Sequence, residues 1–115
     1  MKVIRPTWLT RCDSAEIEGA FLESIVDRYG DDEQASALID MTIQELVFPF
    51  PAKVLGEKVD VVDASPSKYQ AFGLDFIVQH KNKRFAVSGS SVELCEPVPE
   101  GHLYLAALFD WHSRF

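Results

Sequence analysis

Cysteine is scarce in this chain of 115 residues: Cys12 and Cys95 stand alone and far apart, without any paired metal-ligand spacing. They could meet in space, but two free thiols in a reducing compartment is the plainer reading. Long apolar runs are absent too. None approaches the roughly 20 residues needed to span a bilayer, so no membrane partner is expected. The opening residues, MKVIRPTWLTRCD, carry basic side chains but no apolar signal core and no small-residue cleavage site, which makes a cytoplasmic location the expectation. Excess positive charge is missing as well. A net charge of −7 without a basic stripe argues against a nucleic-acid partner.

Catalytic signatures are equally thin. His80, His102 and His112 have no metal-like spacing with each other or with the cysteines. Ser88, Ser90 and Ser91 form a turn rather than a nucleophile elbow, and neither G-x-S-x-G nor a phosphate loop occurs. No enzymatic activity is expected. Internal repeats and low-complexity tracts are also lacking.

What remains is an ordinary globular composition, 47% hydrophobic, long enough for one domain over residues 1–115. Its charge is unevenly placed. From Asp13 to Glu45 there are ten acids and one base, Arg28, whereas the stretch from Leu46 onward carries eight acids and seven bases. The excess negative charge therefore lies on one N-terminal segment, residues 13–46.

That segment reads as two helices. Asp13 suits an N-cap, with Glu16 completing a capping box. Ile17, Phe21 and Ile25 recur at helical spacing, and Leu22, Val26 and Tyr29 widen the stripe. Gly30 provides a left-handed stop. Asp31 with Gln34 repeats the capping pattern, Asp32 and Glu33 suit the positive end of the helix dipole, and Ala35, Leu38, Ile39 and Leu46 form the second apolar face.

A strut over residues 47–51, Val-Phe-Pro-Phe-Pro, follows. Proline ends a helix and pushes the residue before it toward extended geometry, so Phe48 and Phe50 should point to one side as pegs between helices and sheet. Residues 52–94 then read as β structure. Ala52–Leu55 and Glu57–Val62 alternate around a bend or bulge at Gly56, and DASPSKYQ (63–70) reads as turn. Leu74, Phe76 and Val78 mark a strand with one apolar face, HKNK a hairpin tip, and Phe85 and Val87 the inward side of the return. A last short strand lies in SVEL. Residues 101–114 form a largely buried helix. The expected fold is α+β: a helical pair packed on a small SH3-like barrel of four or five strands, with a C-terminal helix. Trp8 and Trp111 should be core or interface anchors. Asp110, inside an apolar helix, needs a cationic partner, and Arg84 or Arg5 could serve.

The order of VDRYGDDEQ, FPFPAKV, FIVQHKNKRFAVS and the terminal DWH resembles that of the small bacterial calcium-binding proteins of the cyanobacterial CcbP type. The resemblance covers most of Ile25 to His112. It implies helices on a small barrel, and calcium sequestration or buffering by acidic surface residues, without EF-hands or catalysis. The acidic junction Asp31, Asp32, Glu33 matches the family pattern. An acidic pair is replaced by Ile43 and Gln44, beside Glu45, and the usual aromatic run is Ala37–Met41 with Asp40 inside it.

Calcium takes six to eight oxygens, and without an EF-hand loop its site must be assembled from separate elements. Glu16, Glu23 and Asp27 share one helical face; Glu33, Asp40 and Gln44 repeat the spacing on the next helix. If the Gly30 junction folds the helices side by side, Asp27, Asp31 and Asp32 converge where such faces meet. The candidate calcium ligands are Asp27, Asp31, Asp32, Glu33 and Asp40. Two other readings stay open: these acids are only solvated helix faces and caps, or the acidic face of an interaction module docks a basic protein partner.

Overall fold

Apolar spacing builds each helix of the computed structural model, which describes residues 7–68 and 73–113. Helix α1 (Ser14–Ser24) starts where the Asp13 carboxylate accepts a 2.7 Å hydrogen bond from the Ala15 N–H. Ile17, Ala20, Phe21 and Ser24 fall on one face and are buried. The sequence pattern carries this helix on to Gly30, but it ends at Ser24. Asp27 takes the left-handed conformation, at φ 61°, which Asp tolerates better than most residues. Val26 and Tyr29, expected in the buried stripe, lie beyond the helix end and are exposed, and Leu22, still within α1, is exposed too.

Gly30 is not a left-handed stop. At φ −104° it is the N-cap of α2 (Asp31–Glu45) and supplies no side-chain cap bond, so Asp31 is the first helical residue rather than the cap. Ala35, Leu38 and Ile39 of α2 are buried, as is Leu46 just beyond it. Two buried hydroxyls close back on their own helices: Ser24 donates to the Ala20 carbonyl at 2.8 Å and Thr42 to that of Leu38 at 2.7 Å.

Beyond Leu46 the strut leads into the sheet, and the Phe48–Pro49 bond is cis. Phe50, 3% exposed, meets Phe76 edge-on at 6.0 Å between ring centroids, which is the peg the sequence suggests. Phe48 lies beside it at 5.6 Å but stays half-buried.

Five antiparallel strands follow, β1 (Phe50–Val54), β2 (Glu57–Pro66), β3 (Leu74–His80), β4 (Lys83–Ser88) and β5 (Val92–Leu94), in the order β4-β3-β2-β1-β5. Of the bend or bulge expected at Gly56, the bend is what forms. With Leu55 at φ 51° and Gly56 at φ 81°, the pair forms the two-residue turn of the β1–β2 hairpin. The irregularity falls later in β2, between Val61 and Asp63. Residues 63–66, read as turn, continue β2, whereas residues 69 and 70 lie outside the described residues.

The sheet curls without closing into a barrel. β4 and β5 sit at opposite ends of the strand order, and no ladder joins them among the described residues. The short 3-10 turn Gly89–Ser91 alone connects them, so the sheet must bend round to bring its edges near. A three-residue β5 is too short to seal the seam.

Helix α3 (His102–Ser113) buries Leu105 through Phe109 and Trp111, and packs against both α1 and α2. Position 114, at the expected helix end, lies outside the described residues. The N-terminal 3-10 turn Thr7–Arg11 joins the core through Trp8 and Leu9. It is tied to β5 and the following loop: the Trp8 N–H donates to Glu93 at 2.9 Å, and Arg11 pairs with Glu96 at 3.2 Å.

Phe85 departs from expectation. It stands opposite the buried Val78 in the β3–β4 ladder but is 43% exposed, because β4 is an edge strand of the open sheet. Arg84 directs its Nε–H to Gln79 at 3.1 Å, and Arg5, the other partner considered for Asp110, lies outside the described residues.

Candidate metal centre

Helix geometry decides how the five candidate carboxylates stand to one another. Asp31, Asp32 and Glu33 occupy the first turn of α2 and are exposed. Three acids there are favoured by the positive end of the helix dipole whether or not an ion is present. Glu33 also supports the backbone, because its Oε2 accepts the Tyr29 N–H at 3.3 Å and so fixes the chain where it enters α2. Asp27 sits in the turn after α1, four residues before Asp31, and is exposed.

Asp40 is separated from this group. Seven residues beyond Glu33, it lies on the same helical face but about 10.5 Å further along the axis. Calcium–oxygen distances of roughly 2.3–2.6 Å do not bridge that gap. The two helices meet chiefly through a third: α1 and α2 both pack on α3 and touch each other only lightly. Among the described residues, no three His, Cys, Asp or Glu side chains come close enough to hold a metal ion together. Asp27 and the Asp31–Glu33 turn are thus neighbours in sequence on an exposed junction, and Asp40 stands apart.

Glu23, on the first acidic stripe, is engaged. Its Oε2 accepts a 2.8 Å hydrogen bond from the Tyr104 hydroxyl, which joins α3 to α1. That hydrogen bond, with burial and the charges of Glu23 and Glu45, pushes the Tyr104 hydroxyl up to about 12. The capping pattern gives Gln34 a place in a cap; instead its Oε1 accepts the Trp111 Nε1–H at 3.3 Å, linking α2 to α3. Sequence reasoning misses both links, because each depends on α3 lying against α1 and α2. Cys12 and Cys95 are free thiols, and burial first, then Glu16, raises the Cys12 thiol above its ordinary range.

No family model matches the chain, and no curated protein sequence matches it. Among solved structures, the crystal structure of Anabaena CcbP has a similar fold, with a TM-score of 0.69 over 98% of this chain and 96% of that one, at 17% identity. The likeness covers both the helical layer and the sheet. No described helix is long and apolar enough to cross a membrane.

Proposed function

We propose that the protein is a non-catalytic calcium-binding protein, a buffer or sensor without EF-hands that draws ions to the acidic residues of its N-terminal helical layer. The observation that carries this reading is the near full-length likeness in fold to Anabaena CcbP, together with the calcium binding that the CcbP-type resemblance of the sequence implies. The charge distribution supports it: ten acids against Arg28 between Asp13 and Glu45. Within that layer, Asp27, Asp31, Asp32 and Glu33 offer exposed carboxylates at one junction, and water completes the six to eight oxygens calcium takes. Such a solvent-shared arrangement favours weak, rapidly reversible association, the behaviour of a buffer. Asp40 contributes charge at a distance rather than a ligand. A calorimetric titration with calcium at physiological salt, with magnesium as competitor, tests the reading. Saturable heat that survives excess magnesium supports it; heat no larger than dilution contradicts it.

A second reading is favoured by a different observation. Leu22, Val26 and Tyr29 are exposed apolar residues interleaved with Glu23, Asp27 and the Asp31–Glu33 turn. Apolar anchors rimmed by one sign of charge are the makings of an interaction surface for a basic partner.

A further inference from the structure

Helix α1 is apolar on two faces. One, with Ile17, Ala20, Phe21 and Ser24, is buried, and the helix packs on α3. At about 100° per residue, Ala15, Gly19 and Leu22 follow one another along the opposite face, and Val26 continues the spacing just past the helix end. All four are exposed, Leu22 at 54% and Val26 at 65%. A surface helix turns charged and polar side chains outward as a rule, so this outer seam is an apolar face left without a partner in the monomer.

Gly19 sits in the middle of the seam. Among the described residues no other element comes within 4 Å of its β position, and its backbone is ordinary helix, so neither packing nor a left-handed conformation calls for glycine there. Alanine would favour the helix. A missing β-carbon at an exposed helix centre instead lets a second backbone approach closely from outside, as where two helices cross. Carboxylates rim the seam: Glu18 on one flank, Glu16 and Glu23 on the other, and Asp27 beside Val26. Glu23 is held at that rim by the 2.8 Å hydrogen bond it accepts from Tyr104. From Asp13 to Asp27 there are five acids and no Lys or Arg.

We propose that this seam docks an amphipathic helix of a basic protein partner, whose apolar side chains seat over Gly19 between Ala15 and Leu22 while its flanking Lys and Arg meet the carboxylates of the rim. The apolar contact holds the helix, and the charges on both flanks select a basic one and make the contact sensitive to salt. The inference rests on the interaction-surface reading, to which it gives a partner and a seat, and not on calcium binding. It has one consequence that a purely structural role for position 19 lacks. A helix-favouring side chain there should strengthen the fold and weaken the docking together.

Fluorescence anisotropy with two labelled peptides of about 18 residues, five helical turns, tests this with a calcium chelator present. Both carry the same Leu/Ala seam at helical spacing, flanked by Lys in one peptide and by Glu in the other. Wild type should bind the Lys peptide, release it as salt rises, and leave the Glu peptide unbound. Gly19→Gln fills the seam without removing a charge; it should melt higher than wild type yet bind at least about tenfold more weakly. Leu22→Ser, which removes an exposed anchor, should weaken binding likewise. Equal binding by wild type and both variants would overturn the proposal while leaving a basic partner for the acidic layer at large. No binding by wild type would overturn both. In sedimentation velocity, a wild type that self-associates and a Gly19→Gln variant that stays monomeric would assign the seam to a second copy of the chain, and so overturn the proposal too.

Discussion

The Tyr104 hydroxyl donates a 2.8 Å hydrogen bond to the Glu23 carboxylate, so the first turn of α3 is held to the last turn of α1 by a pair that only tertiary structure brings together. Proton loss from Tyr104 would set two negative oxygens against each other, which is why its hydroxyl is pushed up to about 12. An unfolded chain releases this proton near 10, the ordinary tyrosine value. The contribution to stability is therefore complete below pH 10 and is lost as pH rises toward about 12. Absorbance titration should show a late tyrosine step near pH 12. Glu23→Gln should return it toward the ordinary range; an unchanged late step in that variant would assign it to another tyrosine.

Two glycines should respond to alanine in opposite directions. Gly101, at φ 88°, faces the Glu45 carbonyl so closely that a β-carbon would collide with backbone, and the Val47 N–H bonds to the Glu100 carbonyl alongside at 3.2 Å. Gly101→Ala should cost about 3 kcal/mol or more, from backbone strain and separation of α2 from α3. Gly19, within α1, has open space around its β position, so Gly19→Ala should stabilise by about 1 kcal/mol. Urea denaturation measures both, and equal effects would mean that the close approach at Gly101 is not limiting.

Two phenylalanines separate the covered sheet from its open edge. Phe50→Ala should destabilise the domain by roughly 3–5 kcal/mol, as for a fully buried ring. Phe85→Ala should cost under about 1 kcal/mol, since the ring is 43% exposed. Comparable losses in chemical denaturation would show that the Phe85 ring is buried in solution.

Much of the fold was legible because it is written locally. The Asp13 cap, the apolar face of α2, the Phe50 peg and the strand alternation of Leu74, Phe76 and Val78 each follow from neighbours in the sequence. What failed depended on distant elements. The stripe through Leu22, Val26 and Tyr29 keeps helical spacing, yet nothing in it foretells that Asp27 turns left-handed and α1 stops. Phe85 alternates correctly, but alternation cannot say which strand lies at the edge of the sheet. Barrel closure depends on whether β4 and β5 meet, which no single strand encodes. For the candidate site, local spacing places the acids along α2 but does not say how α1 and α2 stand to each other. The acids Asp31, Asp32 and Glu33 share the first turn of α2, whereas Asp40 lies about two turns further along it.

The most direct test of the calcium reading is thermal melting of wild type and Asp31→Asn/Asp32→Asn/Glu33→Gln over a series of calcium concentrations at matched ionic strength. Each replacement keeps a hydrogen-bond acceptor, including the one that Glu33 offers the Tyr29 N–H, so backbone support at the junction is retained. Removing these charges relieves their mutual repulsion but also gives up their interaction with the helix dipole, so each protein's shifts are read against its own calcium-free melting temperature. Calcium should raise the wild-type melting temperature by mass action, increasingly with concentration, and raise that of the variant by less than half as much. Equal shifts in the two proteins would remove the junction from the site, and the absence of any shift in wild type would contradict calcium binding itself.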